Sequence, residues 1–252
     1  MTSTRLDGRG AHDLRAVNVQ LATQKNPEGS VLYSCGATKV LISASVENGV
    51  KDFLAGSQSG WVTAEYAMHP RANPNRQRRE GRGSAIGGRT QEIQRLIGRA
   101  LRAAVDLKKL GERTITIDCD VLDADGGTRT ASITGGYIAL VLALDSLRKR
   151  GLVQPGVLRE PTAAISIGLV DSVVMSDLCY TEDSAAQVDL NLVATASGRV
   201  IEVQGTAEGE PIDRPVLDKM IDLGLRGVIE LTQLQDSVLS GVGVDSQRLI
   251  GG

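Results

Sequence analysis

Residues Thr114 to Val121 alternate without a break, with Ile115, Ile117, Cys119 and Val121 on one side and Thr116, Asp118 and Asp120 on the other. Side chains of an extended strand point to opposite faces with a period of two, so this segment is a strand with one buried face. Directly after it stands Asp125-Gly126-Gly127, and then an apolar stretch, Thr128 to Arg150, closed by the basic turn Arg148-Lys149-Arg150 and Gly151. A basic last turn followed by glycine is how a helix ends. Strand, glycine turn and long helix therefore follow one another, and the rest of the chain must pack around them.

Upstream, β-like runs cover Leu14 to Leu21, Val31 to Cys35, Lys39 to Val46 and Trp61 to Tyr66, separated by Asn-Pro-Glu-Gly, Gly-Ala-Thr and a Gly/Ser stretch. The segment His69 to Gly88, HPRANPNRQRREGRGSAIGG, has no hydrophobic period and reads as an exposed, mobile loop. Ile93, Leu96, Ile97, Ala100, Leu101, Ala104 and Val105 then recur at three and four residues, a helix with one buried stripe ending near Gly111. Beyond a proline-containing linker, Gln154 to Pro161, the second half repeats the order. Its strands run over Ala164 to Leu169, Val173 to Tyr180, Gln187 to Ala196 and Arg199 to Gln204, and its helix from about Pro215 to Leu239. Strands first and helices after, twice, predict an α+β fold in layers rather than alternating βαβ units. The expected halves are residues 1–155 and 156–252.

Composition excludes several chemistries. His12 and His69 are the only histidines and Cys35, Cys119 and Cys179 the only cysteines, so neither a four-cysteine nor a three-histidine zinc site can be built from this chain. The cysteines form no CxxC pair and read as buried thiols in a reducing compartment, which predicts a cytoplasmic protein. The longest uninterrupted apolar run, Tyr137 to Leu144, falls short of the roughly 18 residues of a membrane helix, and the N-terminus lacks the apolar core of a secretion signal. No membrane partner is expected. With six aromatic residues in 252, RNA binding through aromatic platforms is disfavoured.

Taken as a total, the net charge of −2 argues against nucleic acid, but the charge is segregated. Between Arg71 and Arg102 lie nine arginines, no lysine and only Glu80 and Glu92 as acids, so that window carries +7 and the remaining residues −9. Arg71, Arg76, Arg78, Arg79 and Arg82 sit in the loop itself, a pattern that suits a phosphate backbone.

Three further clusters carry possible chemistry. In Asp125-Gly126-Gly127-Thr128-Arg129-Thr130, glycines admit close approach of the backbone and the free amides of a helix start point outward. The plain alternative is a tight turn capped by threonine, but Arg129 stands in the first helical turn, where the helix dipole disfavours a cation, and this favours an anion site. Gly87-Gly88-Arg89-Thr90 repeats the pattern at another helix start; whether the two meet is not readable from sequence. Asp177, Glu182, Asp183 and Asp189 crowd the second half. A hairpin of Val173–Tyr180 with Gln187–Ala196 would set Asp189 and Asn191 opposite Val188, Leu190 and Leu192, with Asp183 in the connection. Two such carboxylates suit Mg²⁺ facing a phosphate; a turn aspartate and a solvated strand face are the alternative.

GWVTAEYAM (Gly60 to Met68), GGRTQEIQRLIGRALRAAVDL (Gly87 to Leu107), DCDVLDADGGTRTASITG (Asp118 to Gly135), EDSAA (Glu182 to Ala186) and EVQGTAEG (Glu202 to Gly209) together closely resemble the ribonuclease PH family. The likeness runs from Asp7-Gly8-Arg9 to Ile229. It implies β-α layers of the ribosomal protein S5 domain 2-like type and a homohexamer built as a trimer of dimers. The implied activity is phosphorolytic 3′-to-5′ trimming of transfer RNA precursors beyond the CCA end, reversible by nucleotide addition. By the same resemblance Arg89, Gly127, Thr128 and Arg129 bind inorganic phosphate, and Asp183 and Asp189 are the catalytic pair and hold Mg²⁺. Arg71, Arg76, Arg78 and Arg79 grip transfer RNA. Two departures stand out: the family's arginine-proline-valine is Arg15-Ala16-Val17, and Asn191 stands where related polynucleotide phosphorylases have lysine. A catalytically silent ring subunit would have lost the acidic pair or the phosphate arginines, and a small-molecule kinase on this fold would need a phosphate loop that is absent.

Overall fold

The computed structural model describes residues 5–81 and 85–251, so Arg82 of the basic loop lies outside the described residues. Five strands form a first sheet: β1 (Val17–Leu21), β2 (Gly29–Cys35), β3 (Thr38–Asn48), β4 (Trp61–Met68) and β5 (Arg113–Asp123), in the order β1-β2-β3-β5-β4. All neighbours are antiparallel except β4 and β5, which run parallel, with Met68 beside Val121. That pair is closed by α1 (Gly88–Ala103) and the short α2 (Leu107–Leu110), so one βαβ crossover does occur within the layered α+β plan. Helix α1 stops earlier than its stripe suggests. The Asp106 amide donates to the carbonyl of Val157 at 2.8 Å, Val105 bridges Leu158, and the Asp106 carboxylate caps α2.

On β5 the alternation holds: Ile115, Ile117, Cys119 and Val121 are buried. They face α3 (Thr128–Lys149), which also packs on β2, β3 and α1. Gly135 sits so close to Tyr33 that an added Cβ would lie 2.8 Å from the Tyr33 Cβ. Helix α3 is long and apolar enough, by length and composition, to cross a membrane, which the count of uninterrupted apolar residues missed; in this fold nearly all of it is enclosed by protein.

A second sheet, β6 (Thr162–Val170), β7 (Val173–Ser176), β8 (Val188–Thr195) and β9 (Val200–Ala207), has the order β7-β6-β8-β9. Strand β6 is covered on both faces, by α3 on one and by α5 (Arg214–Ser240) on the other. Gly224 and Gly227 let α5 lie directly on Ile167, Leu192 and Ile165. A C-terminal turn, α6 (Gln247–Ile250), accepts the amides of Gly156 and Leu158 through the Leu249 carbonyl, fastening the linker.

Four expectations need correction. The segments Val173–Tyr180 and Gln187–Ala196 do not pair with each other, because β6 lies between them and bonds to both. The first of these strands stops at Ser176: Asp177 takes a left-handed φ of 51° and turns its carboxylate inward, and Tyr180–Asp183 forms a helical turn, α4. Cys35 and Cys119 are buried as expected, but Cys179 is only half-buried, at the start of that turn. The basic loop is also anchored at its beginning, where Ala72 is buried and its carbonyl accepts the amide of Ala124 at 2.9 Å.

Candidate active site

Between the two sheets opens a cleft of about 1170 Å³. Its floor is the start of α3. Gly127 has φ 63° and no side chain caps the helix, so the first amides remain free for a ligand. Thr128 is held by a 2.9 Å hydrogen bond between its hydroxyl and that of Tyr66 on β4. Arg129 reaches Glu92 of α1 at 3.8 Å. Helix α1 begins the same way, at Gly87 without a side-chain cap, and Arg89 of its first turn lines the same cleft. The two helix starts that sequence could not connect therefore open on one space.

The acidic residues divide into two sets. Asp183 on α4 and Asp189 on β8 line the cleft beside Arg89 and Arg129. Burial raises the Asp183 carboxyl above its ordinary range, against the pull of Arg129 and Arg89. Asp189 is raised by burial first and then by the charge of Asp183. The fold around Asp189 differs from the predicted hairpin, yet alternation on β8 still turns Val188, Leu190 and Leu192 into the core and leaves Asp189 and Asn191 on the cleft.

Asp177 and Glu182 are spent on arginines of the N-terminal segment. Arg15 is buried, and its Nη2 and Nε donate to Asp177 at 2.7 and 3.1 Å. Its Nη1 donates to the Asp125 carbonyl at 2.6 Å, so one guanidinium joins the glycine turn to the acidic segment. Burial pushes the Asp177 carboxyl up, but the hydrogen bonds and charge of Arg15 outweigh it and hold the group below the usual carboxylate range. The Cys35 thiol beside it is raised to about 12 by burial and by the Asp177 charge, which disfavours the reactive thiolate. Arg5 clasps Glu182 and donates to the carbonyls of Ser176 and Asp177 at 2.7 and 2.9 Å. From the other side the Asp125 carboxylate accepts the Tyr180 amide at 3.1 Å.

Of the arginines in the basic loop, Arg78 and Arg79 line the cleft, whereas Arg71 and Arg76 are exposed outside it. Sequence reading missed Arg5, Arg15, Tyr66 and the cleft position of Asp118 and Asp120. The signal for the last two was present in the alternation of β5: the face opposite the core is one wall of the cleft. There the Asp118 carboxyl is raised by burial and then by Glu65 and Asp120. Among the described residues no group of three or more His, Cys, Asp or Glu side chains could hold a metal alone. Asp183 and Asp189 still fit Mg²⁺, which takes one or two carboxylates and completes its shell with water and phosphate oxygens.

The sequence matches the 3′ exoribonuclease family in both its parts, domain 1 over residues 13–144 and domain 2 over residues 160–227. The chain belongs to this family, that of ribonuclease PH. A ribonuclease PH from Crocosphaera subtropica is 54% identical over 240 residues, covering 95% of this chain and 99% of that protein. Among solved structures, rice Rrp46 has a TM-score of 0.75 at 18% identity, covering 93% of this chain and all of that one. An Archaeoglobus fulgidus exosome chain, from a structure with RNA bound to the active site, has a TM-score of 0.74 at 21% identity, covering 92% of each chain. Membership carries the activity: phosphorolytic 3′-to-5′ shortening of RNA, with inorganic phosphate as co-substrate.

Proposed function

We propose that the cleft trims transfer RNA precursors beyond their CCA end, with each predicted residue in the role its surroundings support. The observation that carries this reading is the convergence of two uncapped helix starts, Arg89 and Arg129 on a cleft that also holds two carboxylates raised by burial. Arg89, Arg129 and the amides at Gly127 and Thr128 hold the attacking phosphate and offset its repulsion from the scissile one, an electrostatic task. An oxygen of that phosphate bonds to the phosphorus of the last phosphodiester, and the bond to the 3′ oxygen of the preceding nucleotide breaks. The products are RNA one nucleotide shorter and a nucleoside diphosphate. Asp183, whose carboxyl is raised, is the donor we assign for the proton that the leaving oxygen takes up. Asp189, and Asp183 once its proton has passed to the leaving oxygen, would hold Mg²⁺, which when bound would neutralise charge on the phosphoryl oxygens. Because an ester is exchanged for an anhydride, excess diphosphate drives nucleotide addition to the RNA end.

Arg78 and Arg79 grip RNA at the cleft, and Arg71 and Arg76 extend the basic surface outward for the body of the transfer RNA. We place the protein in the cytoplasm as a homohexamer, a trimer of dimers, in which residues 1–155 supply the phosphate and RNA sites and 156–252 the acidic pair. The test is a 3′-extended transfer RNA incubated with purified protein. Diphosphates are released only when phosphate and Mg²⁺ are both supplied; monophosphates in phosphate-free buffer would show a hydrolase instead. Light scattering should return six times the 26.6 kDa chain mass.

A further inference from the structure

The cleft is lined largely by charged and polar side chains, and one aromatic ring stands open in it. Of four tyrosines, Tyr33, Tyr66 and Tyr137 are buried to within a few per cent, whereas Tyr180 is 62% exposed on the cleft wall. The other exposed aromatic, Phe53, lies outside the cleft with its ring edge-on to Trp61 at 5.4 Å. A chain with so few aromatics gains nothing in stability from leaving a tyrosine ring in water.

The ring projects from a fixed base. The Tyr180 amide is held by the Asp125 carboxylate at 3.1 Å and its carbonyl accepts the Ser184 amide at 2.9 Å. Gly126 presses against this segment so closely that a Cβ there would lie 2.9 Å from the Tyr180 nitrogen. Tyr180 is thus seated against the glycine turn that opens α3 and shares one helical turn with Asp183, three residues on. Resting on the proposed phosphorolysis in this cleft, we infer that Tyr180 is the stacking platform for the 3′-terminal base, the one attached to the nucleotide being released. A flat aromatic face takes any base, because every base has a π-face, and an enzyme that removes nucleotides in succession needs that indifference. The backbone charge of RNA is met by the arginines, and its last base is held by this ring.

The experiment uses the full-length protein with Tyr180→Ala, Tyr180→Phe and a single-stranded RNA ending in either a normal or an abasic 3′ nucleotide. Equilibrium binding is read by fluorescence anisotropy, with turnover measured alongside. Loss of one stacked base by alanine substitution weakens binding about five- to a hundred-and-fiftyfold. Tyr180→Ala should raise the Kd for normal RNA, and the KM for diphosphate in the reverse reaction, by that factor. The KM for phosphate should not move, and Tyr180→Phe should behave as the parent. In the parent the abasic end should cost the same factor, and in Tyr180→Ala nothing further, since the two changes remove one contact. If Tyr180→Ala still discriminates normal from abasic ends as the parent does, or changes only the oligomeric mass, the inference is overturned. The binding arm needs no turnover, so absence of phosphate-dependent diphosphate release in the parent would count against the phosphorolytic reading alone.

Discussion

Asp177 and Asp183 are six residues apart, the first buried and the second half-buried, and the fold treats them oppositely. Asp177, like its neighbour Glu182, is matched by arginines from the first fifteen residues and held below the ordinary carboxylate range. Asp183 and Asp189 feel the arginines of the cleft only at a distance and are raised. The first set closes its valences within the protein and fixes the loop. The second leaves them open toward the cleft, which is the condition for binding a cation or passing a proton. Sequence proximity and residue type are shared; what differs is whether the N-terminal segment reaches the group.

Breaking the closed set should have the largest effect. Asp177→Asn leaves the Arg15 guanidinium buried without its counter-charge, and removing one partner of a buried pair costs ~3–5 kcal/mol. Denaturant unfolding measures it, and replacing Arg15 by Met in the same chain should recover part of the loss. The same pair sets an acid limb. A carboxyl with a depressed native pKa contributes stability in full above its unfolded value, about pH 4, and loses it as pH falls through the lower native value. The thermal midpoint of the parent should therefore fall in that acid window, and the part due to Asp177 should be missing in Asp177→Asn.

Opening the comparison from the other side, Asp189→Asn or Arg129→Ala should lower phosphate-dependent turnover by about a hundred- to a thousandfold, the usual loss for one preorganised electrostatic contact. Unlike Asp177→Asn, Asp189→Asn should keep or raise the unfolding temperature, because it relieves repulsion with Asp183. A marked drop in stability there would erase the distinction between the two sets. The smallest effect is expected at the joint between them. Gly126 has φ 73° and an added Cβ would lie 2.6 Å from the Leu178 carbonyl oxygen. Gly126→Ala should cost ~1–3 kcal/mol of backbone strain and raise the KM for phosphate as the turn shifts.

Much of this fold was legible where one face of an element meets the core. The β5 alternation and the α1 stripe gave their buried faces correctly, because each has core on one side and cleft or solvent on the other. Helix α3 and strand β6 carry no such contrast, being enclosed on both sides, so their pattern says only that they are buried. The failed hairpin shows another limit: β7 and β8 are consecutive strands with good patterns, but a central strand separates them. In the site, glycine turns and acids stood out locally. Arg15 did not, since its partners lie 110 and 162 residues away and nothing nearby in the chain marks them.

The parallel pairing of β4 with β5 has a consequence for how such an enzyme changes over evolutionary time. The connection from Met68 to Gly88 begins on a strand fixed to its neighbour and ends on a helix packed against that sheet. With both ends pinned, each doubling of the connection's length adds only ~0.6 kcal/mol of closure entropy. On the proposed reading, the part of this segment beyond Ala72 can change in length or residues while the glycine turns and the acidic pair stay where they are, so that selection retunes which RNA bodies are held without touching how the last bond is cut.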